Sequence, residues 1–186
     1  IARIESCDSG SFESKGISRE TAPSVTGADD ADGAFKKIIA LVNVRDRSVK
    51  QIRTRLEKEG YPSKAIQDAI DRALSYRILD DSRYAETLIR SRINQGKGSA
   101  GIERELRGED IAADSVEGWP YAFETSYDQE FSRALDLLER KPTRAKNKRQ
   151  ASYRKLIQAG FSSRIANDAS RAWCDQHDAT QRDAVM

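Results

Sequence analysis

The sequence predicts an all-α protein. The expected architecture is three tandem three-helix repeats in an elongated, curved helical array of right-handed type. The main observation is that RLEKEGYPSKAI, ELRGEDIAADSV and KLIQAGFSSRIA are one helix–cap–helix motif written three times. Leu56, Leu106 and Leu156 stand fifty residues apart, with Gly60, Asp110 and Gly160 at the cap and Tyr61, Ile111 and Phe161 just after it. A second observation is that the preceding helices share a phase, marked by Ile38, Leu88 and Leu138. Leucine, cap and post-cap apolar residue agreeing at one period is the signature of a repeat. A single such unit is too small to bury a core alone, so neighbours must stack.

Residues 1–33 are rich in Ser, Gly and Asp and show no apolar period. They read as a flexible acidic arm, and ordered structure is expected from about Ala34. The first repeat is placed at 34–79. Phe35, Ile38, Ile39 and Val42 share one helical face. Ser48 and Gln51 form an S-x-x-Q capping box ahead of Val49, Ile52 and Leu56. Gly60 ends that helix in the left-handed conformation, with Tyr61 folding back on it. Ile66, Ala69, Ile70, Ala73 and Leu74 form the stripe of a third helix.

The second repeat is placed at 80–125. Asp80 and Asp81 cap its first helix, whose buried stripe is Tyr84, Ala85, Leu88 and Ile89. Arg83 is expected to tie this corner to those carboxylates. The glycines of NQGKGS turn the chain into the helix carrying Ile102 and Leu106. Gly118 and Pro120 then oppose a continuous third helix. A short or broken helix is expected, with Trp119 and Phe123 at a junction between units. The third repeat, 126–174, starts at the cap Ser126, has a first stripe of Phe131, Ala134, Leu135 and Leu138, and ends in a helix carrying Ile165, Ala169, Ala172 and Trp173. Residues 175–186 read as a tail.

Composition narrows the function. No run approaches the roughly 18 apolar residues of a membrane span, and the start lacks a basic-then-apolar signal pattern, so a cytoplasmic monomer is expected. Cys7 and Cys174 read as reduced thiols. With His177 as the sole histidine, neither a zinc site nor a histidine-dependent nucleophile has its parts. No enzyme activity, metal or cofactor is expected. Gly96-Lys97-Gly98-Ser99 is not a phosphate loop, since position 91 is Ser, Gly98 follows the lysine and a helix precedes. An anion visiting the following helix N-terminus is the weaker use left for it.

Charge is unevenly placed. Residues 1–33 carry 3 basic and 7 acidic side chains, residues 175–186 carry 1 and 3, and residues 34–174 carry 28 and 20, a body of net +8. A basic body suggests a polyanion or a protein that handles one. The densest run is Glu139–Lys155, with eight basic residues and one acidic. Arg45, Arg47, Lys50, Arg53 and Arg55 form a second set in the first repeat. The candidate binding surface takes Arg45, Lys50 and Arg53 from the first repeat, and Arg83, Arg90, Arg92, Lys97 and Arg104 from the second. Arg144, Lys146, Lys148, Arg149 and Arg154 complete it from the third. If matching positions are basic, they make a stripe rather than a spot. A helix–turn–helix reader of bases is the competitor, but QDAIDRAL puts acids where a DNA groove would repel them.

The stretch 76–106 also resembles the RecX family. It supplies Ile78-Leu79-Asp80-Asp81, Arg83-Tyr84-Ala85, Ser91-Arg92, Gly96-x-Gly98 and Ile102-x-x-Glu105-Leu106, and the likeness extends over about 34–174. Arg77 stands where that family commonly has a helix-ending glycine, Ser99 where proline is frequent, Gly101 where a basic residue is common, and Asp110 where the repeat expects glycine. The resemblance implies tandem three-helix repeats, no catalysis, and binding along the filament of RecA recombinase on DNA. It further implies dampening of ATP hydrolysis, strand exchange and coprotease action in recombination, repair and the SOS response. The alternative is a helical repeat protein that binds single- or double-stranded DNA directly, without RecA.

Overall fold

A computed structural model describes residues 27–183, apart from 124 and 144. Those residues form eight α-helices and two short 3-10 turns, with no strand among them. The helices are α1 (Gly27–Val44), α2 (Val49–Lys58), α3 (Ser63–Ser75), α4 (Asp81–Asn94), α5 (Ser99–Gly108), α6 (Tyr127–Arg140), α7 (Lys148–Ala159) and α8 (Ser163–Asp183). The 3-10 turns, Ala113–Ser115 and Tyr121–Phe123, lie between α5 and α6. The buried side chains fall into three clusters, one per unit: Ile38, Ile52 and Ile70 in the first, Leu88, Ile102 and Phe123 in the second, Leu138, Phe161 and Trp173 in the third. The chain is an all-α array of helical repeats.

The fifty-residue register is visible atom by atom. Leu56, Leu106 and Leu156 are each wholly buried. The N–H groups of Tyr61, Ile111 and Phe161 donate to their carbonyls at 3.2, 3.0 and 3.1 Å. Gly60, Asp110 and Gly160 donate to the carbonyls one residue on, those of Glu57, Arg107 and Ile157. That pair of bonds is the Schellman cap, and it needs a left-handed residue at its turn. All three positions have it, at φ 88, 61 and 92°. Arg77 repeats the conformation after α3, at φ 52°. Asp110 and Arg77 therefore hold glycine's geometry with a Cβ, at a cost of about 1 kcal/mol each.

Several expectations change. Helix α1 begins at Gly27 rather than near Ala34. Its early turns carry no apolar stripe because they dock through polar and small groups: Asp32 accepts from Arg72 at 2.7 Å, and Gly33 lies against the Tyr61 ring. The expected tail from 175 continues α8 to Asp183. Nothing between 163 and 183 is Gly or Pro, and His177 bonds the Trp173 carbonyl at 3.0 Å while packing on the Trp173 ring. In the second unit the third helix is replaced by the 3-10 turns, as Gly118 and Pro120 require. Phe123 packs into the second unit's own core with Trp119 beside it, not at a junction. Cys174 is a buried thiol, and Cys7 lies outside the described residues.

Neighbouring units meet through equivalent joints: the start of one unit's second helix abuts the end of the next unit's second helix. In the first joint, between units one and two, Ser48 donates to Glu109 at 2.6 Å and Gln51 donates to Glu109 and to the Tyr84 hydroxyl, each at 2.9 Å. Lys50 reaches the Gly108 carbonyl and Asp110. In the second joint, fifty residues on, backbone meets backbone: Gly98 N–H donates to Ala159 O at 3.2 Å, and Gly101 N–H to Gly160 O at 2.8 Å. A Cβ on Gly98 would stand 2.5 Å from the Gly160 carbonyl oxygen, and one on Gly101 2.7 Å from Gly160 Cα. A carboxylate of the next unit seals each joint. Asp81 accepts from Val49 N–H at 2.9 Å, and the buried Glu130 accepts from Ser99 N–H.

Candidate polyanion-binding surface

Capping assigns several of the acids to structure. Asp80 caps α4 by accepting from Ser82 and Arg83 N–H. Asp81 instead caps the neighbouring helix α2, and burial, only partly offset by the bond from Val49, pushes its carboxyl up from the usual aspartate value. Ser48 makes only half of its expected capping box. Its hydroxyl accepts from Gln51 N–H, while the Gln51 side chain is taken by the joint. Ser126 and Gln129 do form a full box. Arg83 pairs with Asp46 at 3.2 Å and with the Ile78 carbonyl, not with the two aspartates. The α5 N-terminus has no room for an anion: Gly98 and Gly101 N–H donate to unit-three carbonyls, and Ser99 N–H to Glu130.

The basic residues separate into engaged and open ones. Arg92 grips Glu105 with two nitrogens, one bond being 2.7 Å, and this bond draws the Glu105 carboxyl below its usual value. Arg53 is turned to Gln67, and Arg90 lies over the Phe123 ring at 5.2 Å. These three, with Arg83, serve the array's own packing. Lys97 and Arg104 are exposed on the second unit. In the third unit Lys146 and Arg154 are exposed, and Lys148 opens α7. Arg149 reaches Asn167 at 3.4 Å and shares a shallow recess with Tyr153. Lys155 is turned inward to the Leu137 and Lys141 carbonyls, and its loss of solvation lowers its pKa. Arg144 lies outside the described residues.

The densest cluster of cations lining one recess is elsewhere. Arg45, Arg47, Lys50, Arg55 and Lys58 line one recess of about 360 Å³ together with Gln51, Thr54, Gly108 and Glu109. Lys50, Thr54 and Lys58 stand four apart on α2, and Gln51 and Arg55 flank them, so one face of the helix supplies the recess. Arg53 falls off that face. Arg47, Arg55 and Lys58 are therefore the better candidates from the same segment, and the i, i+4, i+8 phase from Lys50 is a signal that finds Lys58. Nor do the matching positions form a stripe. Fifty residues on from Arg45, Arg47, Lys50, Arg55 and Lys58 stand Gln95, Lys97, Ala100, Glu105 and Gly108, and a hundred on stand Ala145, Asn147, Gln150, Lys155 and Gln158. The cluster belongs to the first unit alone.

Among the described residues no group of three or more His, Cys, Asp or Glu is placed to hold a metal ion, and no helix is long and apolar enough to cross a membrane. Comparison with known proteins gives the family. The model of the RecX first three-helix domain matches residues 34–72 and that of its second three-helix domain residues 80–117. The regulatory protein RecX of Vibrio vulnificus is 31% identical over 128 residues, covering 67% of this chain and 82% of that protein. The regulatory protein RecX of Bacillus velezensis is 29% identical over 147 residues, covering 76% of this chain, and the chain spans only 55% of that relative's length. The crystal structure of RecX from Lactobacillus salivarius matches the fold with a TM-score of 0.63 at 19% identity, over 78% of this chain and 97% of that one. With the fold, the Asp80-Asp81 pair and the G-x-G loop all in place, these likenesses make the chain a member of the RecX family of regulatory proteins.

Proposed function

We propose that this protein acts by binding the RecA recombinase filament and lowering its ATPase, strand-exchange and coprotease activities. The observation that carries the reading is family membership combined with an array in which several acids are spent on caps and joints while Arg45, Lys58, Lys97, Arg104, Lys146 and Arg154 stay exposed. A protein built this way works by contact rather than chemistry, and a nucleoprotein filament offers both protein and phosphate to such a surface. The site acts in the cytoplasm as a monomer without cofactor. The test is the single-stranded-DNA-dependent ATPase of the host's RecA with the purified chain added. A fall in rate at stoichiometric or few-fold excess is expected, and an unchanged rate at several-fold excess rules the reading out.

A second reading, direct binding to nucleic acid without RecA, is favoured by the cationic recess on α2. It predicts DNA binding that weakens steeply with salt in the absence of RecA.

A further inference from the structure

We infer that the recess between α2 and the end of α5 is a phosphodiester-binding site, which takes the backbone of a nucleic-acid strand. The inference rests on the second reading above and gives it a place and a chemistry. Five cations line the recess, and the one carboxylate among its walls, Glu109, is occupied by Ser48 and Gln51. Lys50 is held by the joint and Arg55 pairs with Glu59 at 2.7 Å, but Arg45 and Lys58 are exposed and form no ion pair among the described residues. The Nε of Arg47 is buried and has no hydrogen-bond partner among the described residues. A buried guanidinium nitrogen without an acceptor is costly, and Arg47 also lines the recess. Burial, then Arg45 and Arg55, lower the Arg47 pKa, so the three like charges strain against one another.

The shape selects the kind of anion. Lys50 to Lys58 is eight residues of helix, about 12 Å. One strand of DNA presents roughly three or four phosphates over that length. The walls hold no aromatic ring, so there is no platform for stacking a base. Recognition is of the backbone and indifferent to sequence. The charge is also particular to this place. Of the five cations only one is kept at the equivalent positions of each other unit, Lys97 in unit two and Lys155 in unit three, although Leu56, the cap and the joint are all repeated.

The test is fluorescence anisotropy of a fluorescein-labelled oligo(dT) strand with the full chain, without RecA, over a salt series. The variants are Arg45→Gln with Lys58→Gln, both exposed, against Lys146→Gln with Arg154→Gln as an equal charge loss in unit three. The recess pair should weaken binding about tenfold and flatten the log K against log salt slope by about 1.4, since two phosphates are no longer neutralised, at roughly 0.7 each. The unit-three pair should change the slope by less than half as much. An equal drop in both pairs overturns the inference, because charge anywhere would then serve. So does an unmoved slope in the recess pair, an absence of wild-type binding at low salt, or displacement of the strand by polyglutamate as effective as by unlabelled DNA. The wild-type effect on RecA ATPase, measured in parallel, separates this site from the filament reading. Either result stands when the other fails.

Discussion

The two joints between units are built at the same place in the repeat from opposite materials. At the first, long polar side chains span the gap: Ser48 and Gln51 share Glu109, and Lys50 reaches over to Gly108 and Asp110. At the second, Gly98 and Gly101 remove the side chains, and α5 comes down onto the Gly160 turn until backbone bonds backbone. The difference decides where a ligand can go. A joint made of side chains stands off from its neighbour and leaves a recess lined by whatever α2 presents. A joint made of glycine closes the space and spends its N–H groups. The cationic recess lies beside the first joint for this reason, and the G-x-G loop, which looks more like an anion cradle in sequence, is the closed one.

The largest effect expected is at the closed joint. Gly160→Ala asks alanine to hold φ 92° and sets a Cβ 2.6 Å from Gly101 Cα. Left-handed strain and overpacking each contribute about 1–3 kcal/mol, so urea denaturation should show a loss of about 3 kcal/mol or more. Asp110→Gly, the equivalent position in the open joint, exchanges about 1 kcal/mol of backbone relief against a surface ion pair to Lys50 worth about as much or less. Its net change should stay within about 1 kcal/mol. Similar losses from the two substitutions would abolish the contrast.

Much of this was legible in the sequence, and the limits are physical. The leucine register, the caps and the broken third helix follow from apolar period and from the special backbone of Gly and Pro. They are local, so one sequence carries them. Gly96 and Gly98 read in sequence as turning residues, yet Gly98 has φ −84° and is needed, with Gly101, for close approach to a loop about sixty residues away. Of the loop glycines only Gly96, at φ 75°, makes the turn. Arg92, Arg83 and Arg53 look as available as Arg45 in sequence, which shows a charge and not its partner. The recess needs the packing of α5 against α2, and no pattern within either helix contains it.

Glu109→Ala tests the open joint directly. It strips the acceptor from the wholly buried Ser48 and from Gln51, whose amide also holds the half-buried Tyr84 hydroxyl. Leaving such donors unmatched costs about 1–3 kcal/mol, and partial access to water places the expected loss near the lower end. Differential scanning of thermal unfolding reads it. No change would mean that water replaces the carboxylate and that the joint is held by its apolar flanks.

Glu105 occupies in unit two the position that Arg55 holds in the recess, and its pairing with Arg92 gives a pH-dependent term. The pKa of Glu105 is lowered in the folded protein. The stability it contributes is therefore present above the ordinary carboxyl value and lost as pH falls through the folded one. Glu105→Gln should cost about 0.5–1 kcal/mol at pH 7 for a partly exposed pair, with the wild-type advantage shrinking to nothing in acid. A cost independent of pH would show that packing, not charge, is what the pair supplies.

The smallest effect belongs to the carboxylate that seals the open joint. Asp81 has the opposite sign from Glu105: burial raises its folded pKa. Such a group binds its proton more readily in the folded state, so stability falls as pH rises from the unfolded value through the folded one, and above that the ionised form carries a fixed cost. Asp81→Asn removes the charge but keeps an oxygen to accept from Val49 N–H. At pH 7 relief of the burial cost is partly offset by a weaker bond from Val49, and a gain of no more than about 0.5 kcal/mol is expected. The informative measurement is the slope of stability against pH between about 4 and 7. As pH rises through the acidic end of that range, wild type should lose stability relative to the variant. Parallel curves would mean that the bond from Val49 balances burial, and a wild type that gains stability with pH would mean that the bond governs this carboxylate. That outcome would make the two seals alike, because the carboxylate would then serve the open joint as a plain helix cap.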